Sequence, residues 1–210
     1  MYKIVSLFYA FFNKSKRYRR RDFGRMGIHS VIGADCELVP SNIYMDDYTI
    51  IQNGNNFISY KGKLVLKRYS VIASGCIIVP SRHIPTVGLP FYYAAVSHIG
   101  DEDTTITVEE DCWVGAGSIL LPGCTLGRGC IIGAGSVVTK DIPPYAVVAG
   151  APAKIIAVKF SLKDIMEHEK KLYDENDRMS REFMASVFDR YYSNIRVMSS
   201  EHLSACESQD

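Results

Sequence analysis

Aliphatic residues recur at every sixth position through the second half of the chain. The series runs without a gap from Val108 to Val138, and the same phase, projected backwards, recurs at Leu66, Ile72 and Ile78. Shorter series in other phases lie upstream, at Ile32, Leu38, Met45, Ile51 and Phe57. A period of six fits neither the repeat of an α-helix nor a simple antiparallel sheet. It predicts very short strands joined by tight corners, many of which carry glycine.

Small side chains follow the aliphatics four positions later. Because strand side chains alternate between two faces, Ser118 and Leu120 both point inward while Ile119 points outward. Three hexads would form a triangular coil of about eighteen residues, and stacked coils about 4.8 Å apart would bury ladders of aliphatic side chains. The sequence therefore predicts a mainly β fold, a parallel β-helix over residues 28–160. The alternative is a chance pattern in a glycine-rich β-sandwich.

The hexad phase breaks over residues 84–105, where the run GLPFYYAAV predicts a loop that protrudes from the solenoid. Apolar residues at three- and four-residue steps predict two amphipathic helices in the tail, residues 161–210, which either cap the solenoid or bind a neighbour. The extension 1–27 begins with the apolar segment Met1–Phe12, expected to be helical, and continues with a basic cluster from Lys14 to Arg25. This extension either covers the other solenoid end or makes peripheral contact with an anionic membrane surface.

Composition and charge narrow the classes of function. Apolar residues make up 47% and charged residues 22% of the chain, and the net charge of +1 favours no nucleic-acid partner. The chain has no apolar stretch of about 18 residues and no cleavage site of a secretory signal, so a cytoplasmic protein is expected. Five of the six cysteines fall on the small inward position without the spacing of a zinc site. They are expected to stay reduced, and no metal is expected.

Three segments carry a resemblance to a known family. The segment IGAGSVVTKDIPPYAVVAGAPAKII (Ile132–Ile156) resembles the end of the β-helix in hexapeptide-repeat acyltransferases, and Asp111–Gly129 and Leu64–His83 extend the match upstream. The most similar groups are the maltose, galactoside and xenobiotic acetyltransferases and the O-acetyltransferases of surface-polysaccharide synthesis. The resemblance implies a left-handed coil, acetyl-CoA as the acyl donor, a homotrimer, and a small-molecule sugar or glycan as the acceptor.

The resemblance also implies site residues. The family's general base, a histidine just before a protruding loop, matches His83, and its tryptophan beside the acyl donor matches Trp113, which packing between subunits would also explain. The coenzyme A channel along the later coils matches Ala116, Ala134, Thr139, Lys140 and Lys154. Acceptor contacts are assigned more loosely, to Asn53, Asn55, Asn56 and His98, the last being either a substrate contact or a surface residue. Arg82 stands where many relatives have glycine.

Acetyl transfer needs a base within reach of the attacking atom and donors for the oxyanion that forms. Histidine, with a pKa of about 6.5, suits the first task. Because the sequence has no nucleophile elbow or Cys/His nucleophile signature, we expect direct attack of the acceptor on the thioester. Whether oxygen or nitrogen is attacked stays open. Two other classes of function also stay open: a non-catalytic scaffold, and a zinc hydrase of carbonic-anhydrase type, which would need three convergent histidines.

Overall fold

The computed structural model describes residues 18–59, 61–97 and 100–198. In these ranges short strands wind in successive coils around three sheets of five, seven and four strands, here called faces A, B and C in their order within a coil. The strands before the loop are β1 (Arg25–Met26), β2 (Val31–Ile32), β3 (Ile43–Met45), β4 (Ile50–Ile51), β5 (Asn56–Phe57), β6 (Lys63–Leu66), β7 (Val71–Ile72) and β8 (Ile77–Ile78). The loop contains β9 (Ser81–Arg82), the helix α1 (Phe91–Ser97) and β10 (Glu102–Asp103). The later strands are β11 (Thr105–Val108), β12 (Trp113–Val114), β13 (Ile119–Leu120), β14 (Thr125–Leu126), β15 (Ile131–Ile132), β16 (Val137–Val138), β17 (Ala146–Ala149) and β18 (Lys154–Val158).

The strand register follows the hexads. In the later coils Trp113 pairs in parallel with Ile131, a partner 18 residues away and thus three hexads on. Across the loop, Trp113 pairs with Val71 on its other side, so the inserted residues leave the stacking of coils undisturbed. The predicted inward series is confirmed, because its aliphatic side chains are fully buried: Leu66, Ile72, Ile78, Val108, Val114, Leu120, Leu126, Ile132 and Val138.

Glycines at the corner between faces B and C are required by the backbone. Gly117 and Gly135 both have φ near +68°, a conformation that costs glycine little and other residues more. A Cβ at Gly115 would lie 2.6 Å from the backbone nitrogen of Ala134 in the next coil. These two coils can therefore stack at this point only if residue 115 has no side chain.

The cysteines at the inward positions are buried free thiols, as the hexad phase predicts. In neighbouring coils the sulfur atoms of Cys112 and Cys130 lie 3.5 Å apart. Burial raises the pKa of Cys124 to about 12, so this thiol stays protonated at neutral pH. These side chains act as small packing groups in the core.

The solenoid begins earlier than residue 28. Met26 of β1 pairs with Met45 of β3. Met26 also lies six residues before Ile32, so it extends the hexad series towards the N-terminus. Before it, the Tyr18 hydroxyl donates to the carbonyl of Cys36 and accepts from the amide of Leu38, at 3.1 and 2.9 Å. These residues close the first coil. The helix expected over Met1–Phe12 lies outside the described residues, as do residues 199–210.

Two helices follow the last strand, α2 (Leu162–Leu172) and α3 (Arg181–Tyr191). Glu169 of α2 is 1% exposed and attaches the helix to the solenoid. Its carboxylate accepts from the Arg128 guanidinium at 2.9 Å, from the Tyr145 hydroxyl at 2.5 Å and from the Met179 amide at 3.0 Å. The helical tail is thus anchored to the final coils through buried, hydrogen-bonded charges.

Candidate active site

A two-stranded ribbon forms the neck of the loop that leaves the solenoid after β8 and returns at β11. Strand β9 pairs with β10 in antiparallel fashion, so that Arg82 lies opposite Glu102, and Ser81 opposite Asp103. Because side chains alternate along each strand, Ser81 and Asp103 share one face of the ribbon, and Arg82 and Glu102 share the other. The Arg82–Glu102 ion pair, at 2.5 Å, joins the strands on that second face.

His83 is the next residue along the ribbon and contacts Asp101 on the opposite strand. The Nδ1 atom of His83 lies 2.5 Å from Oδ1 of Asp101, and the side chains are 46% and 17% exposed. A carboxylate at Nδ1 holds the proton on that nitrogen and orients the ring, which leaves the lone pair on Nε2. The carboxylate thus favours the tautomer that a general base acting through Nε2 needs.

The sequence reading did not include Asp101. Asp101 lies 18 residues after His83 on the far side of the loop, and no hexad phase fixes its position. The only signal was the acidic run Asp101–Asp103 just before the hexads resume, and a run of this kind is usually a solvated surface.

A pocket of about 460 Å³ opens beside the ribbon. Its lining combines apolar side chains with hydroxyl, basic and acidic ones. The lining residues are Ile58, Ser59, Lys61, Val79, Ser81, Arg82, His83, Asp101 and Asp103. Ser59 and Ser81 contact each other through their hydroxyl groups, and the Ser81 hydroxyl donates to Asp103 Oδ1 at 2.8 Å. The predicted base thus faces a cavity with both apolar and polar lining groups, large enough for a small polyhydroxylated molecule.

The three asparagines do not line this pocket. Asn55 has to be removed from the acceptor candidates, because its side chain is fully buried and bonded to the Gln52 carbonyl and the Cys76 amide. It occupies the inward small position, four residues after Ile51. Asn53 is exposed at the corner between faces B and C, where its oxygen accepts from the Ala34 amide at 2.9 Å.

Asn56 lies on the outer side of β5, paired with Ile77 of β8. His98 lies outside the described residues, so its position relative to His83 is not described. Of the predicted acceptor contacts, the structure brings neither Asn53 nor Asn56 to the lining of the His83 pocket.

The predicted donor residues lie on the later coils. Trp113 points outward from β12 and is 45% exposed. Ala116 and Ala134 are exposed at the corner between faces B and C, in adjacent coils, where the Gly135 amide donates to the Ala116 carbonyl at 2.8 Å. Thr139 is exposed and directly follows β16. These residues are accessible, as a ligand channel requires.

Lys140 and Lys154 come together in a second pocket of about 310 Å³. Tyr191 of α3 also lines it, and the Arg190 guanidinium lies 5.1 Å from the centre of the Tyr191 ring. The sequence reading missed Tyr191, because the docking of a helix 37 residues beyond Lys154 leaves no trace in the hexad pattern. Two cationic groups and an aromatic ring are suited to a phosphorylated nucleotide.

The two pockets lie along the same edge of the solenoid. Val79, at the base of the ribbon, donates to the Leu120 carbonyl, and Leu121 in the next coil donates to the Val138 carbonyl. Thr139 and Lys140 directly follow Val138. The start of the ribbon and the lysine pocket are therefore two coil rises apart along the solenoid axis, about 10 Å, a span that an extended ligand can bridge.

Within the described ranges, no group of three or more His, Cys, Asp or Glu side chains is arranged to hold a metal ion. No helix in those ranges combines the length and the apolar character needed to cross a membrane.

Comparison with known proteins identifies the class. The family model for the bacterial transferase hexapeptide, a unit of six repeats, matches residues 105–140. The galactoside O-acetyltransferase of Escherichia coli K12 is 30% identical over 145 residues, which are 69% of this chain and 68% of that protein. The chain therefore belongs to the hexapeptide-repeat acetyltransferase family, and it is an acyltransferase.

Solved structures show the same fold. A maltose O-acetyltransferase from Clostridium difficile is 24% identical, with 74% of this chain and 84% of that chain covered and a TM-score of 0.60. A hexapeptide-repeat acetyltransferase from Vibrio cholerae, crystallised with acetyl-CoA, is 24% identical, with 66% and 73% covered and a TM-score of 0.57. Together with the parallel sheets, these likenesses support the left-handed β-helix.

Proposed function

We propose that this protein transfers the acetyl group of acetyl-CoA to a hydroxyl group of a sugar or polysaccharide precursor, with His83 as the general base. The observation that carries the proposal is the His83–Asp101 pair, whose 2.5 Å contact orients the imidazole at the wall of the pocket. An amine on an amino sugar is the alternative acceptor group, since the same base serves both.

The acceptor's hydroxyl oxygen attacks the carbonyl carbon of the thioester. Nε2 of His83 takes the hydroxyl proton as the new C–O bond forms, and Asp101 stabilises the imidazolium through Nδ1–H. The tetrahedral intermediate carries an oxyanion, to which backbone amides near the loop donate. Its collapse breaks the C–S bond, and the proton on His83 passes to the coenzyme's sulfur, which leaves as the thiol. No covalent acyl-enzyme forms.

The donor lies along the edge that joins the two pockets. Its thioester reaches the His83 pocket, and its phosphates bind between Lys140 and Lys154, about 10 Å along the solenoid axis. The ring of Tyr191 offers an aromatic surface for the adenine base. The family resemblance also implies channel contacts from Trp113, Ala116, Ala134 and Thr139. Of these, Thr139 lies on this edge, whereas Trp113 is on face B and the two alanines are at the corner between faces B and C.

The protein acts as a homotrimer. The outer side of face B is apolar, with Val71, Trp113 and Ile131 side by side, and the loop exposes Phe91 and Tyr92 at 59% and 74%. Closed threefold symmetry would cover these surfaces. Light scattering at micromolar concentration should give three times the 23.5 kDa chain mass, and a stable monomer would contradict this assignment.

The test of the proposed activity is release of free coenzyme A thiol from acetyl-CoA, measured with a panel of sugars, amino sugars and nucleotide sugars. At least one hydroxyl acceptor should give acetylated product, identified by mass spectrometry, and His83→Ala should bind coenzyme A but turn over slowly. Absence of coenzyme A binding by the wild type would favour the scaffold reading. Turnover with amino sugars alone would assign the chain to N-acetylation.

A further inference from the structure

The ribbon carries a second carboxylate that the proposed mechanism does not use. Asp103 lies on the same ribbon face as His83 and Asp101, and it lines the same pocket. It is exposed to that pocket, whereas Glu102 between the two aspartates points to the other face and pairs with Arg82. A carboxylate in this position needs an explanation, because the base already has its partner in Asp101.

Its hydrogen bonding leaves capacity for a ligand. One oxygen of Asp103, Oδ1, accepts the Ser81 hydroxyl at 2.8 Å, and Ser81 in turn contacts Ser59. An ionised carboxylate offers about four acceptor positions. The Ser81 contact fixes the orientation of Asp103 and still allows it to accept further hydrogen bonds from the pocket side.

The spacing along the ribbon matches one sugar ring. Residues two apart on a strand lie on the same face, about 6.8 Å from each other along the backbone. This distance separates the Ser81–Asp103 pair from the His83–Asp101 pair on the ribbon. This is comparable with the distance between hydroxyl groups on opposite sides of a pyranose. An acceptor with one hydroxyl at Nε2 of His83 can therefore present another to Asp103.

We propose that Asp103 binds a second hydroxyl group of the acceptor and so determines acceptor specificity for a polyhydroxylated sugar. The inference rests on the proposed function of the His83 pocket. A hydroxyl that donates to a carboxylate forms a charge-assisted bond, stronger than one between neutral groups. An acceptor without that hydroxyl leaves the carboxylate without its partner, and the enzyme discriminates against it.

The experiment combines Asp103→Asn with monodeoxy analogues of whichever sugar the wild type acetylates. Asp103→Asn should raise the acceptor KM about 10-fold, and leave the acetyl-CoA KM unchanged. The wild type should discriminate against one deoxy analogue by a similar factor, and that discrimination should disappear in Asp103→Asn. Glu167→Gln, which removes an exposed carboxylate from α2 outside the ribbon, is the control and should leave the acceptor KM as it is.

An acceptor KM for Asp103→Asn within twofold of wild type would overturn the inference, as would a fall in kcat alone or persistence of the deoxy discrimination. Asn retains an oxygen that accepts the Ser81 hydroxyl, so the ribbon should persist. If this variant does not fold, Asp103→Glu displaces the carboxylate by one methylene and must also raise the acceptor KM. A wild type that acetylates no sugar contradicts the proposed function itself, whereas a normal wild type with an unaffected variant refutes only the role of Asp103.

Discussion

Replacement of Glu169 by alanine should detach the helical tail from the solenoid. Glu169 is almost completely buried, and its two carboxylate oxygens accept from the Arg128 guanidinium, the Tyr145 hydroxyl and the Met179 amide. Arg128 is itself only 12% exposed and lies 4.1 Å from the centre of the Tyr173 ring. Truncation would leave this cation with Glu110, at 3.2 Å, as its remaining ion-pair partner among the described residues.

The expected loss follows from those contacts. Removal of one partner from a buried ion pair costs about 3–5 kcal/mol, because the other charge stays desolvated. The Tyr145 hydroxyl, whose pKa burial and the Glu169 carboxylate raise far above the ordinary value, loses its acceptor at the same time. We therefore expect Glu169→Ala to lower the free energy of unfolding by about 3–5 kcal/mol.

Equilibrium unfolding in urea at one fixed protein concentration measures this loss, since the proposed trimer assembly would also contribute to stability. The matched control is Glu167→Ala on the same helix, where Glu167 is exposed and forms an ion pair with Lys171 one turn later. Its unfolding midpoint should equal that of wild type. If Glu169→Ala and Glu167→Ala unfold at the same urea concentration, the buried cluster does not hold the tail.

Three further predictions concern the donor, the core and acid stability. Lys140→Ala, Lys154→Ala and Tyr191→Ala should each raise the KM for acetyl-CoA about 3- to 10-fold without affecting acetyl-pantetheine, which lacks the nucleotide; equal effects on both donors would contradict the site. Cys124→Ser should be tolerated and Cys124→Leu should cost about 1–3 kcal/mol by urea unfolding, whereas equal unfolding midpoints for the two variants would refute the inward placement. Burial by itself would raise the pKa of Asp111, but the hydrogen bond with His168 and the positive charge of Lys159 outweigh this effect. The pKa of Asp111 is therefore held below its ordinary value. The ionised Asp111 carboxylate contributes fully to folding stability above its unfolded-state pKa of about 3.9, and this contribution is lost as the pH falls through the folded-state pKa. The free energy of unfolding of the wild type should therefore drop more steeply below about pH 4 than that of Asp111→Asn. Parallel plots of this free energy against pH would refute the prediction.

The hexad phase was sufficient to predict the core. Each coil repeats the same inward positions, so one register places every aliphatic from Leu66 to Val138. The same phase also indicates that Asn55 is buried, because Asn55 lies four residues after Ile51 just as Cys76 lies four residues after Ile72. Its assignment as an acceptor contact ignored that position. Met26 was likewise in phase, six residues before Ile32.

The proposed catalytic pair, His83 and Asp101, could be predicted only in part. His83 follows a hexad directly, and the family motif marks its position. Asp101 reaches it through closure of a loop, and that path depends on the β9–β10 pairing, which has no periodic signal. Tyr191 meets Lys140 through the docking of α3, a tertiary contact between segments far apart in the sequence. Local patterns determine the solenoid, whereas non-local packing completes both pockets.

The pH dependence of turnover in wild type and His83→Ala, with a confirmed acceptor, tests the central claim most directly. If His83 is the base, the wild-type rate should rise with pH through the titration of a histidine, and this limb should vanish in His83→Ala. The kcat of the variant should fall by about 10²–10⁴, while its affinity for coenzyme A stays near the wild-type value. A variant that retains more than about a tenth of wild-type kcat, or keeps the same pH limb, would show that another group takes the proton.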